Sequence, residues 1–375
     1  VESKKTPLYD EHKTLGGKMA DFAGWNMPLW YPTGQSVEHH ATRKACGLFD
    51  ICHMGEFEIK GPNALSFLSS MLTNGVDKQE DGQAMYNFML NEQGGVVDDC
   101  ILYRFDQENW MLVVNAGDIG GDFNWLKKHL PSNVQLKNIS DTTAKLDLQG
   151  PKTPKLMTKW VAAEELANLK FFRFISNVKM DGMDVLISRT GYTGEIGFEL
   201  YTEIKHCVDL WNLLLEEGKE YGILPCGLGA RDTLRTEAGL PLYGHELKAD
   251  KVALGHPWEF ALSLESEFIG KEKLLRQKKQ GLNYYVFPFI IEGKRKAMPG
   301  WEVKKEGEVI GTVLSGVISP SLNNTPIGFI GVDRFIEVGH VLSFHQEGRP
   351  EELKGRIVEI PFVPLTSRRK MSSFL

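Results

Sequence analysis

Hydrophobic and polar positions along the 375-residue chain change rhythm several times, and each change predicts an element. The opening, from Thr6 to Phe49, holds a short amphipathic segment, a turn at Phe22-Ala23-Gly24-Trp25, and a helix over Ser36 to Cys46 with Ser36 as its N-cap. Met54 to Lys60 alternates apolar with polar side chains, the pattern of a half-buried strand, and Gly61-Pro62 ends it as a turn. Helical spacing returns at Leu65, Leu68 and Leu72. Three strand-like runs follow, Ala84 to Leu90, Val96 to Arg104 and Trp110 to Asn115, with Asn91 to Gly95 as a hairpin connection between the first two. A helix from about Gly121 to Leu130 and a strand from Val134 to Asn138 close this block.

The next block predicts a strand at Thr143 to Leu148, a helix from Pro154 to about Ala163, and strands at Phe171 to Met180 and Val185 to Arg189 joined through Asp181-Gly182. Cys207 to Tyr221 reads as an amphipathic helix with Val208, Trp211, Leu214 and Leu215 on one face, and Gly227 to Ala238 as another helix. After Gln277 short strands recur with turns every eight to twelve residues, at Tyr284 to Ile291, Glu302 to Lys305, Val309 to Ser315, Ile327 to Val332, Val341 to Phe344 and Leu353 to Ile360. That rhythm predicts a small antiparallel barrel or sandwich. The class is therefore α+β, and a chain this long exceeds the roughly 250 to 300 residues at which single cores stop growing, so two or three domains are expected.

Composition narrows the function only by exclusion. Hydrophobic content of 42%, charged content of 25% and a net charge of -6 describe a globular protein without the basic footprint that nucleic acid requires. Basic clusters at Lys294-Arg295-Lys296 and Arg368-Arg369-Lys370 read first as solvated surface charge, with an acidic partner as the other reading. The five cysteines are odd in number and lack CxxC spacing, so neither a disulfide framework nor a metal site is expected, and a reducing compartment fits. No apolar run approaches the roughly 18 residues of a membrane span. The N-terminal Val1-Glu2-Ser3-Lys4-Lys5 has no signal-peptide core, which points to the cytoplasm, although a processed organellar protein would look the same. Nucleotide-binding glycine motifs are missing, and the adjacent His39-His40 read as helix-surface residues rather than a ligand pair.

Three constellations carry candidate chemistry. In Gly94-Gly95-Val96-Val97-Asp98-Asp99-Cys100, two glycines permit a turn and strand alternation sends the two acids to opposite faces, so at least one is partly buried. A buried carboxylate needs a bonded partner or a functional task, and both readings stand. Arg189-Thr190-Gly191-Tyr192-Thr193-Gly194-Glu195-Ile196-Gly197-Phe198-Glu199 brings three glycines, an aromatic ring and an acid into one loop and strand, suited to close approach of a ligand or to an ordinary hairpin. Arg231 and Arg235 lie at i and i+4 of a helix, a fork that matches a carboxylate bidentately, or else forms ion pairs with Asp232 or Glu237.

Taken together with Thr6 to Tyr9, Asp21 to Trp25 followed by Met27-Pro28, Phe49 to Gly55, and Pro361 to Val363 followed by Arg368-Arg369, these motifs resemble the T-protein family of glycine cleavage aminomethyltransferases from about Thr6 to Lys370. Cys52 stands where a serine is common in that family. The resemblance implies three domains around a central cavity: a discontinuous α+β domain at 1–50 and 140–278, a ferredoxin-like α+β domain at 51–139, and a C-terminal antiparallel β-barrel or jelly-roll-like domain at 279–375. It implies tetrahydrofolate as co-substrate, with no metal and no flavin, and the lipoylated H-protein as partner. Asp99 is then the catalytic carboxylate, acting electrostatically on the attacking nitrogen. Met54, Tyr86, Val114, Asn115, Tyr192, Glu199, Arg231 and Arg369 are expected around the folate. A folate-dependent demethylase of the same fold is the nearest alternative. A non-enzymatic folate-binding accessory protein is another, but its cysteine-containing loop is replaced here by Arg189 to Glu195.

Overall fold

The computed structural model describes residues 3–375, so Val1 and Glu2 of the N-terminal segment lie outside the described residues. Two open sheets packed face to face position the site. In the strand Thr143–Gln149, Ala144, Leu146 and Leu148 alternate with Lys145, Asp147 and Gln149. Its antiparallel neighbour Gly197–Glu203 is registered so that Asp147 lies opposite Glu199 and Lys145 opposite Tyr201, which gathers the polar side chains on one face. The apolar row faces the other way and packs on Leu210, Trp211 and Leu214 of the helix Cys207–Glu217. Each such fully buried side chain contributes roughly 1.5–3 kcal/mol. Phe174–Met180, Met183–Ser188, Cys46–Asp50 and Ile223–Pro225 complete this six-stranded sheet.

The second sheet has five antiparallel strands in the order Gln83–Leu90, Val96–Arg104, Asn109–Val114, Gly55–Lys60 and Gln135–Asn138, one strand more than a four-stranded ferredoxin-like sheet. Leu102, Leu112 and Val114 face its helices Ala64–Met71 and Ile119–Lys128, where Leu68 and Leu126 meet them. The opposite face, with Tyr103 and Val113, packs on Phe174 and Tyr201 of the six-stranded sheet.

The C-terminal strands Tyr285–Ile291, Glu302–Lys305, Glu308–Ser319, Thr325–Val332, Val341–His345 and Glu352–Ile357 close into a six-stranded barrel around Phe289, Val313, Ile330 and Phe344. Closure removes the exposed edges that a sandwich would leave. At the N-terminus Lys18–Phe22 and Trp25–Trp30 form a hairpin whose two turn residues, Ala23 and Gly24, both have positive φ, at 51° and 80°.

Several expected details are corrected. Ser36 is not an N-cap: the helix is Gln35–Lys44, and Val37 and Glu38 donate to the carbonyl of Gly34, which precedes it. The helix expected over Pro154 to Ala163 is two short ones, Thr153–Met157 and Ala163–Asn168, because Ala162 turns extended (ψ 137°) and lets Val161 and Leu166 both reach the core. His39 is not on the surface. It is fully buried and its ring nitrogens bond Thr233 Oγ1 (2.8 Å) and Ser321 Oγ (3.0 Å), tying three segments together.

Candidate active site

A cavity of about 1270 Å³ is lined by both open sheets, the N-terminal hairpin, the loop after the helix Leu228–Glu237 and the tail that leaves the barrel. That exceeds the roughly 300–1,000 Å³ of common small-molecule pockets. Aromatic rings of Tyr86, Phe172, Tyr192, Trp258 and Phe260 supply much of its wall.

One wall is built by the strand Val96–Arg104. Gly94 has φ 78°, which serves the expected turn, and a Cβ on Gly95 would stand 1.9 Å from the carbonyl oxygen of Ala249, so the second glycine serves close backbone packing at the strand's start. A register shift follows, with Leu90 opposite Val96 but Met89 opposite Asp98. Beyond that bulge, Asp98 shares the helix-facing side with Cys100 and Leu102, and Asp99 faces the cavity. Asn115 joins the two acids. Its backbone N–H donates to Asp98 Oδ2 (2.9 Å), and its Nδ2 donates to Asp98 Oδ1 (2.8 Å) and Asp99 Oδ1 (2.8 Å). Tyr86 donates its hydroxyl to Asp99 Oδ2 (2.9 Å). Burial, followed by the charge of Asp98, pushes the Asp99 carboxyl up to about 7, against the opposing pull of Tyr86 and Asn115.

The opposite wall belongs to the six-stranded sheet. Glu199 Oε2 accepts from Thr190 Oγ1 (2.7 Å) and from the hydroxyls of Tyr103 and Tyr201 (3.3 Å each), while Oε1 stands 3.4 Å from Lys145 Nζ. Burial alone would raise this carboxyl, but Lys145, Thr190 and Arg231 outweigh it and hold Glu199 below the ordinary glutamate range. Beside it Arg231 Nη1 pairs with Asp147 Oδ2, and the guanidinium lies over the Tyr192 ring at 4.8 Å. Burial pushes Asp147 up to about 6, with Arg231 opposing.

Most residues expected around the ligand meet at this cavity: Met54, Tyr86, Asp99, Asn115, Tyr192, Glu199 and Arg231 all line it. Two stand elsewhere. Val114 is fully buried against the helices of the five-stranded sheet, because strand alternation gives the cavity side to Val113. Arg369 is exposed and off the cavity. Arg189 Nη1 holds the carbonyl of Leu169 (2.7 Å) and its Nη2 holds those of Ser367 (3.0 Å) and Arg369, a clip that leaves Arg368 on the lining, with its guanidinium 5.6 Å from the Phe171 ring. The paired arginine fork does not form either: Arg235 is taken by Asp232 (2.8 Å) and Glu246 (3.0 Å), and Glu237 pairs instead with Arg43 and His39.

Sequence reasoning missed Lys145 and Asp147, the cation and acid next to Glu199. The available signal was their period-two spacing in Thr143–Gln149, which is indistinguishable from that of a solvated strand face.

A model of the GCVT N-terminal domain matches residues 8–265. The aminomethyltransferase of Thermoanaerobacter pseudethanolicus is 43% identical over 362 residues, covering 96% of this chain and 97% of that protein. The chain belongs to the aminomethyltransferase family, the T-proteins of the glycine cleavage system. The aminomethyltransferase of Halalkalibacterium halodurans is likewise 43% identical, over 96% of this chain and 98% of its own. The crystal structure of glycine cleavage system aminomethyltransferase T from Bartonella henselae superposes with a TM-score of 0.87 at 31% identity, covering 97% of this chain and 99% of that one. Among the described residues no helix is long and apolar enough to cross a membrane, no group of side chains is arranged to hold a metal ion, and all five cysteines are free and buried.

Proposed function

We propose that the cavity binds tetrahydrofolate and that the protein moves onto it the methylene of an aminomethyl group carried by the lipoyl arm of H-protein. In that reaction the donor carbon loses its bonds to nitrogen and sulfur and gains bonds to two folate nitrogens. The two protons leaving those nitrogens depart with ammonia and with the lipoyl thiol, so nothing is oxidised or reduced, and the product is 5,10-methylenetetrahydrofolate.

The chain's own residues fit such a ligand. A pterin presents N–H donors along one edge, and Glu199, kept ionised by Lys145 and the surrounding hydroxyls, is an acceptor for them. Tyr86, Tyr192 and Phe260 offer flat apolar faces to aromatic rings. Arg231 is held in place by Asp147 and Tyr192.

Asp99 carries the proposal. It is an acid facing the cavity, set by burial near the middle of the physiological range and steadied on both oxygens by Tyr86 and Asn115. As a carboxylate it attracts the positive charge that grows on the attacking nitrogen. Its raised affinity for protons also lets it take up and return one, a role that an ordinary aspartate fills poorly near neutral pH.

Replacing Asp99 with Asn tests this. The kcat for methylene transfer from aminomethylated H-protein should fall about 10²–10⁴-fold, with tetrahydrofolate affinity changed only a few-fold. Transfer at nearly the native rate would remove Asp99 from the chemistry. Ammonia release that depends on loaded H-protein separates this activity from a folate-dependent demethylase, which would release none.

A further inference from the structure

The loop that joins the two open sheets, between the strands Cys46–Asp50 and Gly55–Lys60, holds a side chain whose hydrogen-bonding groups nothing in the described protein uses. Its neighbours are anchored. Asp50 accepts from Thr6 Oγ1 (2.6 Å) and from the backbone N–H of Cys52 (2.9 Å), and it bonds His12 Nε2 (2.9 Å), while the backbone N–H of Met54 donates to the carbonyl of Ile51 (3.3 Å). Between them His53 is 4% exposed, lines the cavity, and makes no hydrogen bond among the described residues. Its Nδ1 is enclosed by protein without a partner, which leaves Nε2 as the nitrogen open to the cavity. The other buried histidines differ: His12 and His39 bond through both ring nitrogens, and His256 Nδ1 accepts from the backbone N–H of Trp258 (3.2 Å).

Burial, opposed by Asp50 and reinforced by Arg231 and Lys145, pushes the His53 imidazole down to about 4, so near neutral pH the ring carries one N–H and one lone pair. No acceptor meets Nδ1 among the described residues. Enclosed N–H groups without an acceptor are rarer than enclosed acceptors without a donor, as backbone groups show. The proton therefore belongs on Nε2, where it offers a donor to the cavity. Arg231 and Lys145 act on Glu199 as they do on His53, so the two side chains serve one end of the cavity. The plane of the imidazole is set by an edge contact with the Phe22 ring of the N-terminal hairpin, 5.6 Å between centroids.

We propose that His53 is a specificity-determining contact for the pterin: its Nε2–H donates to the ring carbonyl oxygen, next to the N–H groups that Glu199 accepts. A pterin edge presents an amino group, a ring N–H and a carbonyl in succession. Glu199 can meet only the first two, because an ionised carboxylate accepts and does not donate. A neutral donor beside it completes the match, and Arg231, another donor at that end, is engaged by Asp147. This role rests on the proposed binding of tetrahydrofolate, and the experiment separates the two.

Tetrahydrofolate and its 4-amino counterpart, in which an amino group replaces the ring carbonyl, are titrated into the native protein and into His53→Phe, which keeps an aromatic ring against Phe22 and lacks the donor. In His53→Phe the Kd for tetrahydrofolate should rise about tenfold and that for the 4-amino compound by less than about threefold, so the native preference shrinks. His53→Gln carries a neutral N–H donor and should recover most of it. Equal weakening of both ligands, or native affinity for tetrahydrofolate in His53→Phe, overturns the role. Should His53→Phe fail to fold, nitrogen NMR of the native protein labelled at histidine decides, with the His53 signals identified by their loss in His53→Gln. Nε2 should carry the proton and shift when tetrahydrofolate binds; a proton on Nδ1, or an unmoved Nε2, overturns the role. A native protein that does not bind tetrahydrofolate removes the folate reading and this role with it, whereas native binding that His53→Phe leaves intact removes His53 alone.

Discussion

Glu199 and Asp99 line one cavity from strands of two different sheets, yet their carboxyl groups are driven in opposite directions. Both are removed from bulk water, and burial is the largest influence on each. Around Glu199 that influence is overcome by Lys145, by the Thr190 hydroxyl and by Arg231. Around Asp99 the nearest charge is another acid, Asp98, and the supporting groups, Tyr86 and Asn115, are neutral. The contrast shows that burial does not decide the state of a cavity carboxyl; the sign of its neighbours does. One wall is thereby built to keep a fixed negative charge, and the other carries an acid that changes charge near neutral pH.

The comparison is broken most severely by removing the cation on the Glu199 wall. Lys145→Met leaves Glu199 buried without its partner and should cost about 3–5 kcal/mol of stability in denaturant melts, together with a clear loss of tetrahydrofolate affinity. The pH dependence gives the sign. In the native protein the depressed Glu199 contributes stability that is present above its unfolded value of about 4.3 and is lost as pH falls through its lower folded value. In the variant Glu199 loses its largest opposing pull and moves up, so the gap to the native protein is widest at high pH and should narrow as pH is lowered from about 8 towards 5. A gap constant across that range would show that Lys145 acts through packing alone.

Tyr86→Phe sharpens the same comparison on the other wall. The lost hydroxyl lowers Asp99 in the native protein, so without it the acid limb of kcat should move to higher pH. The rate at pH 7 should fall about three- to tenfold, with recovery towards the native rate in alkaline buffer. A limb that stays in place would mean that Tyr86 shapes the cavity without tuning Asp99. The smallest effect is expected at the tail. Arg369→Ala, exposed and off the cavity, should leave folate affinity within about twofold, whereas Arg368→Ala, at the lining, should weaken it more. The reverse ranking would place Arg369 in the site after all.

Much of this architecture was legible along the chain. The alternation of Met54 to Lys60 and the run Val96 to Arg104 marked strands of the five-stranded sheet, and the eight-to-twelve-residue rhythm after Gln277 marked the barrel. Adjacent positions in a strand face opposite ways, so Asp98 and Asp99 had to be separated, and they are. Which face meets a cavity is a different matter. The same alternation that separates the acids leaves Val113 and Val114 equivalent on paper, and only the packing of the helices behind the sheet gives Val114 to the core. His39 shows the same limit, since its burial depends on Thr233 and Ser321, far along the chain.

Periodicity, turn residues and the ordered set of motifs were thus determined by the sequence itself: the elements, the α+β class and the membership of the aminomethyltransferase family. Whether a given acid is charged was decided by tertiary structure alone. Helical and strand spacing are properties of consecutive residues, but a carboxyl responds to charges and hydrogen bonds arriving through space, as Lys145 reaches Glu199 and Asn115 reaches Asp99. Those encounters exist only once the sheets and helices have packed.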